Sequence, residues 1–264
     1  MVTRCIARFL LSVIGGCIAA TAGLLSVPGD FPNIGAAMAE AQSGDTVLVA
    51  DGTYKESVLL TPGVVLRAET LHGAAIRAKG RDPAVTMANN NALIGFVVER
   101  STMGVLSRGR DNLVKSNKIV RNDQSGVVCV GHLPQMEDNV IAFNGASGIQ
   151  GRDVRSTNAT ITHNTIAYNR GHGLSIGGSS DVAIEYSIIA FNEKSDIWAE
   201  QPTARVTLTG NDLYRNGRSM QSLPEGNVTV DPEFVGARKL DFKLSPESRC
   251  RRGAPDNSDI GVRF

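Results

Sequence analysis

The sequence lacks an excess of either charge. Its 27 lysine and arginine residues stand against 26 aspartate and glutamate residues, for a formal net charge of +1. Proteins that hold a nucleic-acid backbone or an anionic lipid surface need concentrated basic charge, so we expect no nucleic-acid partner. Aromatic residues are also scarce, at 5% with a single tryptophan. Glycine and asparagine are plentiful, which favours many tight turns between short strands over long helices.

Long apolar runs are confined to the N-terminus. Two arginines precede an apolar run from Phe9 to Leu25, and a small-x-small site ends at Ala22. This pattern predicts a signal peptide over 1–22 and a secreted or periplasmic protein without stable membrane insertion after cleavage. Two alternatives stay open. The run is just long enough for an N-terminal anchor, and a lipoprotein box ends at Cys17.

Cysteine is rare, and the predicted signal peptide takes two of the four residues, leaving Cys129 and Cys250. Exported proteins can keep disulfides, so one interpretation is a bond between these two. The other is that Cys129 is a small buried hydrophobe and Cys250 a free thiol near the end of the chain. The chain also lacks the ligand spacing of a transition-metal site and the clustered aspartates of a calcium site. We therefore expect no metal and no cofactor.

What the chain does have is an internal repeat. Six segments align from residue 95 to residue 220, with starts 22 to 25 residues apart. They are GFVVERSTMG, NKIVRNDQSG, NVIAFNGASG, NTIAYNRGHG, SIIAFNEKSD and NDLYRNGRSM. A fixed period of this length is typical of a solenoid.

Three positions of the repeat carry the prediction. The third is apolar and predicts a stacked internal column: Val97, Ile119, Ile141, Ile166, Ile189 and Leu213. The sixth is Arg100 and then asparagine in every segment, and the tenth is glycine in the first four segments and Asp196 in the fifth. Asparagine and glycine tolerate left-handed backbone at corners, and stacked asparagines can bond from coil to coil.

The stretches between these positions alternate apolar and polar residues over four or five positions, such as GVVCV and VTLT. Such runs are too short for helices and typical of strands. One amphipathic helix is predicted over Ile34 to Asp45, ended by Gly44, as an N-terminal cap. We predict a single all-β domain over 23–264, a single-stranded parallel β-helix with repeats over about 90–217.

The two ends of the mature chain resemble a known group. Phe31 to Val58, with its Gly-Asp-Thr-Val strand and Gly-Thr-Tyr turn, resembles the opening of pectate lyase-like right-handed β-helix proteins. Val228 to Ser248 resembles their closing segment, predicted here over about 226–264. The tail SRCRRGAPDNSDIG departs from their Ser-Pro-x-Ile-Asp-x-Gly pattern. The resemblance implies a right-handed helix, in a superfamily of polysaccharide lyases, hydrolases, epimerases, adhesins and proteins without a known reaction.

Columns of the alignment are lines on the surface, because equivalent positions lie about 4.8 Å apart. The residues directly before the segment starts form one such line. It brings together Asp138, His163 and Tyr186 as candidate catalytic residues. His163 or Tyr186 would take the proton α to a uronate carboxylate, and Arg152 would neutralise that carboxylate. The alternative is a corner ladder with ordinary cross-coil hydrogen bonds.

The strand after the corner glycine predicts a substrate-binding face. A tryptophan ring can stack on a pyranose, and a guanidinium can hold a uronate carboxylate in a bidentate pair. The candidate binding residues are Arg108, Gln150, Arg152, Trp198 and Glu200. The predicted function is binding of an acidic polysaccharide, with lyase or epimerase activity on it as an open question. The alternative is a non-enzymatic structural solenoid.

Overall fold

The computed structural model describes residues 22–155, 158–200, 204–219 and 222–264. The predicted signal peptide, apart from Ala22, lies outside the described residues. The elements are β1 (Leu24–Val27), α1 (Ile34–Glu40), β2 (Thr46–Val49), β3 (Gly52–Tyr54), β4 (Val58–Leu59), β5 (Val65–Ala68), β6 (Ala74–Ile76), β7 (Pro83–Met87), β8 (Ala92–Ile94), β9 (Val97–Glu99), β10 (Met103–Ser107), β11 (Leu113–Lys115), β12 (Lys118–Val120), β13 (Val127–Val130), β14 (Gln135–Glu137), β15 (Val140–Ala142), β16 (Ile149–Val154), β17 (Ala159–Thr162), β18 (Thr165–Ala167), β19 (Leu174–Gly178), β20 (Asp181–Glu185), β21 (Ile188–Ala190), β22 (Ile197–Ala199), β23 (Arg205–Thr209), β24 (Asp212–Tyr214), β25 (Phe234–Gly236), a 3-10 turn (Ala237–Lys239) and β26 (Asp241–Leu244).

These strands build a right-handed parallel β-helix of about eight turns, which confirms the predicted fold class. Three parallel sheets run along its axis. Sheet A contains β1, β2, β5, β8, β11, β14, β17, β20 and β23; sheet B contains β3, β6, β9, β12, β15, β18, β21 and β24; and sheet C contains β4, β7, β10, β13, β16, β19 and β22. Each turn of the chain passes from sheet A to sheet B to sheet C.

The predicted internal column is present. Ile119, Ile141, Ile166 and Ile189 pair in direct register on successive strands of sheet B, and all four are fully buried. Aliphatic residues of the other two sheets complete the same core cluster. The free energy that holds the turns together comes mainly from this burial, since backbone pairing alone adds little net stability.

The first repeat is displaced by one residue from the predicted alignment. Val98, not Val97, lies in the internal column. Ser101, not Arg100, donates its backbone N–H to the Oδ1 of Asn122. This turn has one residue fewer between its second corner and Gly104. An ungapped alignment that matches Gly104 with Gly126 therefore shifts every earlier position of the segment by one.

Two ladders of buried asparagines follow the corners that flank sheet B. In each ladder the side-chain oxygen accepts from the backbone N–H of the previous turn, and in most steps also from its amide, at about 3 Å. One ladder runs through Asn122, Asn144, Asn169, Asn192 and Asn216. The other runs through Asn117, Asn139, Asn164, Ser187, Asn211 and Asn227. The predicted coil-to-coil bonding is therefore confirmed.

The reason that we gave for the corner residues was wrong in part. The left-handed residues are those directly before the ladder positions, such as His163 and Tyr168, and not the asparagines. The repeat glycines are needed for space instead. A Cβ on Gly148 would lie 2.5 Å from Cγ2 of Ile166 and 2.8 Å from the carbonyl of Gly173. Any side chain there would force neighbouring turns apart.

The N-terminal cap is present but shorter than predicted. Helix α1 buries Ile34, Ala37 and Met38 against the first turn. It ends at Glu40, the backbone is already extended at Ala41, and Gly44 with φ of 97° lies in the turn that follows. No helix in the described part of the chain combines the length and apolarity that a membrane crossing requires.

The C-terminal segment, residues 228–264, packs along the side of the stack. The antiparallel pair β25 and β26 and the residues after it cover the outer face of sheet B. Phe242 packs on the stacked rings of Phe143 and Tyr168, at 6.2 and 6.4 Å between centroids. The segment resembling a closing element therefore covers a sheet face, whereas Asn227 continues the ladder at the end of the stack.

Candidate functional site

The predicted binding residues lie on the outer face of sheet C. Gln150 pairs with Ser175, and Ser175 pairs with Trp198, on three successive strands. Arg152 lies two residues after Gln150 on β16. We call the outward positions in register with Gln150 and Trp198 the outer row of sheet C. Most outer-row positions nearer the N-terminus are apolar or covered, so the exposed polar groups lie towards the C-terminal end of this face.

Trp198 is the centre of this group. Its side chain is 42% exposed, although aromatic rings of this size are usually well buried. The ring stacks on the imidazole of His172, with 5.5 Å between centroids and 19° between planes. His172 lies one turn earlier, at the corner between β18 and β19. The two rings form a rigid platform, which we call the Trp198–His172 platform.

Hydrogen bonding fixes the tautomer of His172. The backbone N–H of Ser195 donates to Nδ1 at 3.2 Å, so Nδ1 must be unprotonated and the neutral ring carries its hydrogen on Nε2. Burial, followed by the charge of Lys194, lowers the pKa of His172 below its ordinary value. The imidazole is therefore suited to donate a hydrogen bond to a ligand and poorly suited to act as a base.

His172 was missed as a site residue, although one signal was available. The column directly before the corner glycine contains Ser125, Ser147, His172 and Ser195. A histidine among serines at a corner indicates a side chain that is not needed for the fold.

Three further polar groups complete the face. Arg152 Nη2 donates to Gln150 Oε1 at 3.1 Å, which holds the guanidinium against the sheet while its other N–H groups face solvent. The carboxylate of Glu200 lies over Gly177, where a Cβ would be 2.6 Å from Oε2. Gln150, Arg152, Trp198 and Glu200 are therefore brought together as predicted. Arg108 lies two turns nearer the N-terminus, just after β10.

The three candidate catalytic residues are brought together elsewhere, at the corner between sheets A and B. His163 stacks on Tyr186, with 5.5 Å between centroids and 27° between planes. Asp138 lies in the same column one turn earlier. The C-terminal segment covers this column, leaving His163 6% and Asp138 7% exposed.

Arg263 ties the C-terminal segment to this column. Its guanidinium donates to both oxygens of Asp138, at 2.6 and 2.8 Å, and to Glu137 at 2.8 Å. Glu137 also pairs with Lys115 at 2.8 Å. Hydrogen bonds from Lys115, with smaller contributions from Arg263, hold the pKa of Glu137 below its ordinary value. Protein cations thus already neutralise both carboxylates.

The predicted pairing of a base with Arg152 is not brought about. Arg152 lies on sheet C, while His163 and Tyr186 lie at the corner between sheets A and B. The catalytic roles of Asp138, His163 and Tyr186 stay predictions. In the structure, Asp138 pairs with Arg263 and His163 contacts the carbonyl of Asp259, so both residues hold the C-terminal segment in place. We call the Asp138–Arg263 pair the ionic clasp.

The potential soft metal ligands are dispersed. The four histidines are spread over three turns, His163 and His172 lie at opposite ends of β18, and His72 donates from Nε2 to the carbonyl of Ser116 at 2.9 Å. Cys129 is a free thiol inside the core, where burial raises its pKa to about 12, and Cys250 is a free thiol beneath the C-terminal segment. Among the described residues, no three His, Cys, Asp or Glu side chains are placed to hold one metal ion.

Comparison with known proteins identifies one family and two solved structures with a similar fold. A family model described as "Periplasmic copper-binding protein (NosD)" matches residues 39–229. No curated protein matches the chain by sequence. The structure resembles pectate lyase Pel9A, with a TM-score of 0.56, 13% identity and coverage of 93% of this chain and 97% of the other. It also resembles the A-module of the Azotobacter vinelandii mannuronan C-5 epimerase AlgE4, with a TM-score of 0.53, 16% identity and coverage of 71% and 67%. At these identities the likeness shows the fold alone.

Proposed function

Because the chain belongs to the family of the periplasmic copper-binding protein NosD, we propose a function that a periplasmic β-helix can perform: binding of an acidic polysaccharide on the outer face of sheet C. The observation that carries this proposal is the exposed Trp198–His172 platform next to Arg152. A pyranose ring stacks on an indole face, and a guanidinium forms paired hydrogen bonds with a carboxylate.

The copper of the family description does not fit the described residues. Copper is held by imidazole, thiolate and thioether ligands that converge on one point. Here the histidines are dispersed, Cys129 lies inside the core, and no three His, Cys, Asp or Glu side chains converge in the described part of the chain. We therefore derive no role for this chain through copper.

The shape of the face suits a polymer better than a small molecule. The open part of the outer face extends from β16 to β22, over three turns, so several sugar units can lie across it. The structural neighbours are named for mannuronan and for pectate, which supports a polysaccharide ligand. Arg152 provides the cation that an acidic polymer requires, and the free Nε2 hydrogen of His172 offers a donor to a sugar hydroxyl.

Binding without turnover is the form of this proposal that the contacts favour. Of the two candidate bases, His163 is covered by the C-terminal segment and Tyr186 lies at the corner between sheets A and B, away from Arg152 on sheet C. The neutral His172 presents a hydrogen instead of a lone pair. A polysaccharide lyase needs an accessible base beside the carboxylate neutraliser.

The single tryptophan makes this testable. Titration of the protein with pectate, alginate and a glycosaminoglycan, followed by Trp198 fluorescence, should show a saturable change that a neutral polymer does not produce. Calorimetry on Trp198→Ala should show affinity at least about tenfold weaker, since a stacked aromatic contact of this kind contributes about 1.4 kcal/mol or more.

A matched control lies at the other end of the same row. Leu59 is also exposed on sheet C, six turns before Trp198, so Leu59→Ala should bind like the unaltered protein. Equal affinity of Trp198→Ala and Leu59→Ala would overturn the proposal. Ultraviolet absorbance of an unsaturated product on incubation with the same polymers would show that the protein is a lyase and that binding without turnover is wrong.

A further inference from the structure

The open part of sheet C, from β16 to β22, carries few charges in its two outward rows. The outward positions of these three strands and of the residue after β22 are Gln150, Arg152, Ser175, Gly177, Trp198 and Glu200. Arg152 is the single cation among these six positions, and Glu200 is the single anion. The two rows can therefore pair one carboxylate of a ligand with a cation, but not a series of carboxylates.

The carboxylate of Glu200 is placed one turn from Arg152. The backbone N–H of Glu200 donates to the carbonyl of Ile176 at 2.8 Å, which keeps this residue in register with β19. Its side chain lies over Gly177, where a Cβ would be 2.6 Å from Oε2 of Glu200. Because Gly177 lies on the turn between β16 and β22, the carboxylate occupies the turn next to the guanidinium.

A second carboxylate lies directly beside Arg152. Asp153 follows it in the β-bulge of β16, where the register with β19 shifts between Gly151 and Val154. The backbone of Asp153 is left-handed, with φ of 49°, and the residue is exposed. The one cation of the two outward rows is therefore accompanied by two carboxylates.

The Trp198–His172 platform suits an uncharged unit. Burial lowers the pKa of His172 most, the charge of Lys194 lowers it further, and the charge of Glu200 raises it, so two opposite charges act on the platform. The neutral imidazole offers the hydrogen on Nε2 to a hydroxyl or acetamido oxygen. Trp198 lies on the last strand of sheet C, and no second ring packs on its indole within the described residues, so one ring face is open to a sugar.

Arg152 and Trp198 would contact different units of one polymer. They lie two turns apart, which is about 10 Å at the strand spacing of a parallel sheet and longer than one pyranose ring. Between them the polymer crosses the turn of Gly177 and meets Glu200. A carboxylate on the crossing unit would face a like charge without a cation to pair with.

From this arrangement we propose that the open part of sheet C selects polysaccharides in which uncharged units separate the acidic units, and that it disfavours chains made of uronates alone. The inference rests on the proposed function and specifies its ligand. Arg152 pairs with the carboxylate of one unit, an uncharged unit crosses Gly177, and Trp198 stacks on an uncharged unit. Asp153 and Glu200 are the residues that determine this specificity.

The test compares hexasaccharides of equal length by calorimetry at one ionic strength. A hyaluronan hexasaccharide alternates uronate with an uncharged acetamido sugar, whereas hexagalacturonate and hexamannuronate carry a carboxylate on every unit. General attraction to a cation would favour the two uronate hexamers, because they carry twice as many carboxylates. We expect the opposite, with the hyaluronan hexasaccharide binding at least about threefold more tightly, since interactions between exposed charges are of this size.

Two variants assign the preference to its residues. Glu200→Gln and Asp153→Asn each remove one carboxylate, and asparagine tolerates the left-handed backbone at position 153. Each should strengthen binding of the uronate hexamers by about threefold and change binding of the hyaluronan hexasaccharide less, and the double variant should lose the preference. Glu40→Gln is the matched control. Glu40 is exposed at the end of α1, far from this face, so the same change of charge should leave the preference intact.

The outcomes separate this inference from the proposed function. If none of the three acidic hexasaccharides binds, both are overturned. If the uronate hexamers bind the unaltered protein as tightly as the hyaluronan hexasaccharide does, or more tightly, the inference is wrong and the proposed function stands. The inference is also wrong if the double variant keeps the full preference, or if Glu40→Gln reduces the preference as much as Glu200→Gln does.

Discussion

The outer faces of sheets B and C are built by the same turns of the chain but meet different surroundings. Sheet B carries small apolar residues and a stacked series of aromatic rings at its edge, and the C-terminal segment covers them. Sheet C carries Gln150, Arg152 and Trp198, and its face is open towards the C-terminal end. Both sheets contribute their inward aliphatic residues to the same core.

This difference shows that the repeat determines the core while the outward residues decide what each face does. A parallel sheet buries both faces when both are apolar. Sheet B follows that rule, because residues 228–264 pack on its apolar outer face. Sheet C is open only near Trp198, where its outward groups are polar or amphipathic.

The largest effect should come from removing the main contact of the cover. Phe242→Ala deletes a buried ring that packs on Phe143 and Tyr168, so we expect a loss of about 4 kcal/mol in the free energy of unfolding. Urea denaturation measures this loss. Trp198→Ala removes a larger ring from the open face, but it should cost less than about 1 kcal/mol because the ring is exposed. Similar losses for the two variants would contradict the contrast between covered and open faces.

The pH dependence of the free energy of unfolding should be an effect of intermediate size, and it should come from the covered side of the solenoid. Asp212 is buried, and it accepts hydrogen bonds from Val230 N–H at 2.9 Å and from the Cys250 thiol at 3.5 Å. Burial raises its pKa from 3.8 to about 7. The folded protein therefore keeps a proton that the unfolded chain has released, so the stability from this group is complete below about pH 4 and is lost as the pH rises through 7.

We expect the unaltered protein to lose about 3 kcal/mol more than Asp212→Asn between about pH 5 and pH 8. Asparagine keeps the acceptor for Val230 N–H but cannot ionise. Comparing the two proteins removes the opposite contribution of His72, whose pKa burial lowers to about 4. Parallel pH profiles in urea denaturation would show that Asp212 does not hold its proton in the folded protein.

The smallest of the three effects concerns the ionic clasp. Arg263→Ala leaves the buried carboxylate of Asp138 without its cation, so we expect a loss of about 2 kcal/mol and faster proteolysis after residue 244. Lys115→Ala is the control, because Lys115 is more exposed and pairs with Glu137 alone. It should cost less than about 1 kcal/mol. Equal losses would mean that the burial of Asp138 is unimportant.

The fold could be predicted from the sequence because its period repeats six times. Each turn contributes one aliphatic residue, and all but the first contribute one asparagine, at fixed positions, so an error in one segment is corrected by the others. The first repeat lacks one residue, and Val97 and Arg100 were misplaced there. The position of residues 228–264 could not be predicted, because that segment has no repeated partner and its contacts are with residues about 100 positions earlier.

The candidate site was predicted in part for the same reason. Gln150 and Trp198 share one column and Arg152 lies two residues after Gln150, so their proximity follows from the repeat. His172 belongs to a corner column, and its contact with Trp198 depends on the direction of two side chains. The covering of Asp138 and His163 depends on the C-terminal segment, which periodicity cannot place.

The asparagine ladders have an evolutionary consequence. Each asparagine bonds only to the turns directly before and after it, and the pattern has no preferred length. A gene duplication that adds one turn of about 23 residues would therefore extend both ladders without creating an unpaired amide inside the protein. Lineages that carry this fold can lengthen or shorten by whole turns, and the outer faces of all three sheets grow or shrink in equal steps.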